Sequence, residues 1–132
     1  MNKQFLQQLR VAVQLRPINP WLMILVLCLY LINNCILKIH SAGALHIFLC
    51  SHFNDLLCPL FLLSYANLLL LTVGREIRQL RWMMLICLVA SFVWEWGAPL
   101  IKPHAVADPV DVVCYLLGSM IYWAIYHCAA QT

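Results

Sequence analysis

Four apolar runs, each near the length of one bilayer crossing, alternate along the chain with short polar or basic connections. A hydrocarbon core of ~30 Å takes about 20 helical residues. The first run follows Pro20 and covers residues 21–38, WLMILVLCLYLINNCILK. The second, 55–73, opens at Asp55 and stops before Gly74. The third, 82–97, starts at Trp82 and ends at Gly97, before Pro99. The fourth, 109–128, starts at Pro109 and ends at Cys128. Ahead of them, residues 3–16 place Phe5, Leu6, Leu9 and Val13 at helical spacing among glutamines and bases. That pattern predicts an amphipathic helix lying on the membrane surface. Residues 39–53 are apolar but too short for another crossing, which predicts an interfacial or re-entrant segment. The expected fold is an all-α membrane protein, a four-transmembrane-helix bundle occupying residues 1–132 as one membrane domain.

Composition narrows the class further. Of 132 residues, 64% are apolar and 10% charged, and the mean hydropathy is +0.86. Soluble domains run near ~45–50% apolar and ~25% charged. A soluble enzyme, a nucleic-acid-binding domain and a disulfide-stapled secreted scaffold are thereby excluded. The seven cysteines form no CxxC pair and fall mostly inside the apolar runs, as small packing residues do. Cys50 and Cys58 flank one boundary and are the pair that an oxidising side would bridge.

The basic residues give an orientation. Lys3, Arg10 and Arg16 precede the first run, and Arg75, Arg78 and Arg81 separate the second from the third. Only Lys38 and Lys102 stand in the other two connections. Positive charge marks the cytoplasmic side, so both termini are expected there. Four of the five acids then share the outer half: Asp55, Glu95, Asp108 and Asp111. Asn34 and the histidines of the outer connections, His40, His46, His52 and His104, lie there too. The inner half is expected to be apolar, with Glu76 solvated among its arginines.

Several of these residues have a structural explanation. Asp108-Pro109-Val110-Asp111 has the form of an N-cap, a proline at the first helical position and an acid in the first turn. Asp55 suits a helix start, with Pro59 following where its missing amide costs little. Gly118 permits close helix approach, and the tyrosines can pack with satisfied hydroxyls. Glu95 has no such explanation. It sits near a helix C-terminus inside a span, where both the dipole and the low dielectric oppose its charge. Pairing with Lys102, protonation or a hydrated cavity would satisfy it. Asp108, Asp111, Tyr115, Gly118 and Tyr122 recur at three- and four-residue steps and form a polar stripe on the fourth run. The candidate binding set is Asp55, Glu95, Asp108, Asp111, His104, Asn34, Lys102 and Tyr115. If a metal binds, Asp55, Glu95, Asp111 and His104 are its candidate ligands, and a divalent cation is the cofactor such donors suit.

Glu95, Ala98-Pro99, the Asp108–Val113 run and Gly118 together resemble the closing half of VanZ-like membrane proteins. Residues 52–61, HFNDLLCPLF, with VADPVDVVCYLLG, also resemble a group of short bacterial four-helix proteins labelled magnesium citrate secondary transporter. The likeness spans roughly residues 33–122. Lys102-Pro103-His104 replaces the arginine common before the family's loop aspartate, and Tyr115 replaces an asparagine. The VanZ-like family is associated with low-level resistance to the glycopeptide teicoplanin. The resemblance implies a multi-pass bacterial inner-membrane protein acting at the cell envelope, without defined catalysis.

Three functions compete at this stage. The first is a binding protein whose outward acidic pocket takes a cation, an amine-bearing headgroup or a glycopeptide. The second is a small oligomeric secondary transporter for a cation or cation–organic acid complex. The third is an intramembrane metal-dependent hydrolase, for which no HExxH or nucleophile motif is present. Expected partners are the lipid bilayer, an envelope lipid or glycopeptide and a second copy of the chain, but no nucleic acid. On a background cleared of native cysteines, Ala42→Cys should label from the cell exterior and Gln79→Cys should not. The reverse pattern would invert the topology.

Overall fold

In the computed structural model the described residues are 3–101 and 108–129, the side chains at 95–96 and 98–101 excepted. Every regular element among them is helical: α1 (Lys3–Leu15), α2 (Ile18–His40), α3 (Gly43–Ser51), α4 (Phe53–Thr72), α5 (Leu80–Ile101) and α6 (Pro109–Cys128). Three stretches are long and apolar enough to cross a membrane: Ile18–His40, the helical stretch Gly43–Thr72, and Pro109–Cys128. Apolar side chains such as Trp21, Ile39, Val93 and Val113 are exposed on the outside of the bundle. A solvent of lipid accounts for them, because hydrocarbon does not penalise exposed apolar surface.

The N-terminal helix is amphipathic as its spacing predicts. It turns Leu9, Ala12, Val13 and Arg16 towards the bundle, with Ala12 fully buried, while Phe5 and Leu6 stay exposed. A groove lined by Gln4, Gln7, Gln8 and Val11 with Leu71 and Thr72 records where α1 meets the end of α4. The chain then turns at Pro17, whose missing amide costs nothing at a helix start. α2 begins at Ile18, ahead of the residue 21 expected from hydropathy, because Pro20 fits the first turn, where amides lack helical partners anyway.

α2 is not regular throughout. Residues Asn33–Leu37 form a π-helical segment, one residue wider per turn than the flanking α-helix. Within it Asn33 is fully buried, and its amide nitrogen donates to the Leu49 carbonyl (3.0 Å) and to Asn54 Oδ1 (3.1 Å). One side chain thus ties α2 to both α3 and α4. Ser41 and Ala42 end α2 in extended backbone, and Gly43 at φ +64° starts α3 in a conformation that only glycine adopts without strain. The segment expected to be interfacial or re-entrant is therefore a nine-residue helix, about 14 Å long at 1.5 Å per residue. His52 alone separates it from α4, its amide bonding Phe48 and its carbonyl accepting from Leu56.

α4 starts at Phe53, two residues before the expected start, so Pro59 lies inside the helix. It has no amide to give the Asp55 carbonyl. α6 packs where that irregularity falls. A Cβ placed on Gly118 would stand 2.5 Å from the Leu56 carbonyl oxygen and 3.0 Å from Pro59 Cγ. Glycine is required there by contact between backbones. The core continues from this crossing through Leu57, Leu60 and Leu63 of α4, Leu22 and Val26 of α2, Met83 and Cys87 of α5, and Tyr115, Tyr122 and Tyr126 of α6. All seven cysteines are free thiols, Cys50 and Cys58 included.

Gly118→Ala should destabilise the bundle by about 1–3 kcal/mol, the usual cost of overpacking a tight contact. Gly97→Ala, with open space around its Cα, should be nearly neutral. Thermal unfolding of the detergent-solubilised protein checks both; equal midpoints for the two variants would refute the close crossing.

Candidate functional site

Polar side chains gather at the two ends of the bundle. At the end where α4 and α6 begin, Asp108 caps α6: its Oδ1 accepts from the Val110 amide at 2.9 Å, with Pro109 in the first helical position. Its extended backbone is the conformation a residue before proline prefers. The capping role expected from the sequence is realised. One turn on, Asp111 Oδ1 lies 2.8 Å from His52 Nδ1, with both side chains more than four-fifths buried. An ionised carboxylate only accepts, so the histidine's Nδ1 carries the proton in this bond. The pair joins the α3–α4 junction to the first turn of α6, and the Phe48 ring lies tilted beside it, 6.4 Å from the His52 ring.

Asp55 occupies the first turn of α4. The His52–Asp111 pair brings the starts of α4 and α6 to the same end of the bundle, so Asp55, Asp108 and Asp111 all stand at that end. Tyr115 is buried and donates its hydroxyl to Cys58 Sγ at 3.4 Å, bridging α6 to α4 beside that group. Asn34 does not join it. Its amide bonds the Tyr30 carbonyl and accepts from Lys38 Nζ at 2.8 Å, both within its own helix. Glu95 belongs to α5, but its side chain lies outside the described residues, as do Lys102 and His104 entirely. Among the described residues no group of three or more His, Cys, Asp or Glu side chains is arranged to hold a metal ion. Of the candidate metal ligands, only Asp55 and Asp111 have described side chains.

An apolar groove of about 420 Å³ descends from this end between α2 and α4. Asn54 and Cys58 line it, followed by Leu57, Phe61 and Tyr65. It therefore begins at Asn54, the residue before Asp55, and runs along apolar surface below.

The opposite end corrects the expectation of an apolar inner half. Asn19, Asn67 and Tyr122 are fully buried and bonded to one another. Asn67 Nδ2 donates to the Tyr122 hydroxyl (2.8 Å), which donates on to Asn19 Oδ1 (2.9 Å). Asn67 also clamps the α4–α5 loop, accepting from the Ile77 amide (2.7 Å) and donating to its carbonyl (3.1 Å). Tyr126 stacks on Tyr122 with ring centroids 5.5 Å apart and donates its hydroxyl to Glu76. Glu76 also pairs with Arg78 and, at 3.4 Å, with Arg16, whose guanidinium lies 5.1 Å over the Tyr126 ring. Glu76 is thus half-buried and coordinated rather than free among its arginines. Burial opposes its charge, but Tyr126, Arg78 and Arg16 outweigh that and hold its carboxyl below the ordinary 4.5.

The sequence held a signal for this network. Asn67 interrupts a leucine run, and an amide inside a span demands a partner. Tyr122 and Tyr126 stand four residues apart on one helix face. His52 carried no comparable mark, because its partner is 59 residues away. No protein-family model, curated protein or solved structure matches the chain.

The depressed Glu76 carboxyl sets a pH dependence. A carboxylate whose value falls on folding stabilises the fold fully above its unfolded value and loses that contribution as pH drops through the folded one. Acidification below pH 4.5 should therefore lower the unfolding midpoint of the wild type more steeply than that of Glu76→Gln. Parallel curves for the two proteins would contradict the coordination described.

Proposed function

We infer that the chain is a four-span membrane-binding protein, in which α5 makes the fourth crossing. α5 has 22 residues, which at 1.5 Å each is about 33 Å, enough for a ~30 Å core. Its apolar stretch is Leu80–Trp94. The bases around Glu76 support a cytoplasmic position for that end and an outer one for the Asp111 end. The resemblance to VanZ-like proteins supports a bacterial inner membrane and a role at the envelope.

On this reading the outer end binds a cationic group, and the amine of a lipid headgroup fits best. The observation that carries this is the part-buried Asp111–His52 pair, which joins the start of α6, where Asp108 also stands, to the start of α4, which carries Asp55. Clustered carboxylates attract positive ligands and repel anions. The apolar groove that starts at Asn54 and Cys58 favours a lipid over a soluble cation or a glycopeptide, since it offers an acyl chain a seat beside the acids. No step of catalysis is needed for such a role.

Native mass spectrometry of the protein with short-chain phosphatidylethanolamine tests it. Asp111→Asn should weaken retention about tenfold, the worth of one charge-assisted hydrogen bond. Asp108→Asn should retain more, because asparagine still caps the helix and that carboxylate already serves the cap. Retention unchanged in a folded Asp111→Asn protein would overturn the assignment.

A further inference from the structure

The loop between α4 and α5 borders an open cavity of about 580 Å³ at the Glu76 end. Its lining divides by chemistry. Arg78, Arg81 and Gln79 form a polar side, and Ile77, Trp82 and Ile86 an apolar one. Glu76 also borders the cavity, but its carboxylate is already engaged by Arg78, Arg16 and the Tyr126 hydroxyl.

Arg81 is placed differently. Its Nε donates to Gln79 Oε1 at 2.7 Å, and its guanidinium carbon lies 5.6 Å from the centre of the Trp82 ring. These contacts hold one edge and one face of the group. Among the described residues no carboxylate pairs with it, so the fork of terminal nitrogens remains for an outside acceptor. A guanidinium fork matches two oxygens of a phosphate. The surrounding charge agrees: Lys3, Arg10, Arg16, Arg75 and Arg78 join Arg81 at this end, against Glu76 as its acid.

We propose that this cavity binds the phosphate of an anionic phospholipid, with Arg81 on the phosphate and Trp82 and Ile86 against the first acyl carbons. The apolar side decides between sources of phosphate. Trp82 is half exposed at the start of the apolar stretch of α5, where an indole sits at the headgroup level. A free phosphate would leave Ile77, Trp82 and Ile86 unused, whereas a lipid occupies both sides at once. The site lies at the end of the bundle opposite the acidic group and stands or falls without it.

The full-length protein, in nanodiscs of phosphatidylcholine doped with phosphatidylglycerol, is released and its retained lipid counted by native mass spectrometry. The wild type should hold one phosphatidylglycerol. Arg81→Gln should reduce its occupancy about tenfold, as expected for loss of one charge-assisted contact. Arg10→Gln, the same charge removed from α1, should leave that lipid in place. Should Arg81→Gln fold poorly, Arg81→Lys keeps the charge but loses the fork, and it should still hold less than the wild type. Equal losses in the Arg10 and Arg81 variants would reduce the effect to diffuse attraction and overturn the site. Displacement of the lipid by millimolar inorganic phosphate would overturn its lipid identity, and a wild type holding no phosphatidylglycerol would overturn both.

Discussion

A carboxylate half-withdrawn from solvent at the end of a mostly apolar bundle gathers compensating partners, and Glu76 sets that requirement for the whole Glu76 end. It draws Arg16 from the corner between α1 and α2, Arg78 from its own loop and the Tyr126 hydroxyl from the end of α6. Its bonds to Arg16 and to the Tyr126 hydroxyl are part-buried, so they are screened less than its contact with the exposed Arg78. Beneath it, Tyr122 passes the same constraint inwards, one hydroxyl serving Asn67 of α4 and Asn19 of α2. Apolar packing alone cannot set the rotation of such helices, because lipid solvates their greasy faces as well as protein does. Hydrogen bonds between spans can set it, and α6 carries them.

The two ends of α6 are therefore built for different purposes. Towards its C-terminus, tyrosines lock it to α2, α4 and the α4–α5 loop. At Gly118 it touches the backbone of α4 directly. Towards its N-terminus, Asp108 is spent on capping, while Asp111 reaches across to His52. A rigid stem and a charged tip are a sound arrangement for a binding site, since the acids are held by helix starts that the stem has already positioned.

Features contained within one helix were legible in the sequence. The apolar runs marked the helices, the Asp108-Pro109 pair marked the start of α6, and the helical spacing of residues 3–16 marked α1, although Phe5 and Leu6 of that spacing stay exposed. What lay between helices was not. Periodicity reports which face a residue shares with its neighbours, but not which distant residue that face meets. Tyr122 and Asn19 are 103 residues apart, and Arg16 and Glu76 are 60 apart. Asn33 and Asn34 show the limit at its sharpest. Adjacent and identical, they differ because the π-helical turn rotates Asn33 into the bundle and leaves Asn34 to bond its own helix. The boundary at Phe53 was missed for a related reason: the residues that extend α4 upstream of Asp55 do so by packing beside α3, which hydropathy does not register.

Interhelical hydrogen bonds centred on Tyr122 hold the bundle together at its Glu76 end. A double-mutant cycle on Tyr122→Phe and Asn19→Ala, read by equilibrium unfolding in bicelles, tests it most directly. A coupling of about 0.5–1.5 kcal/mol is expected, the range for bonds between membrane helices. Strictly additive effects, with no coupling between the two positions, would contradict it.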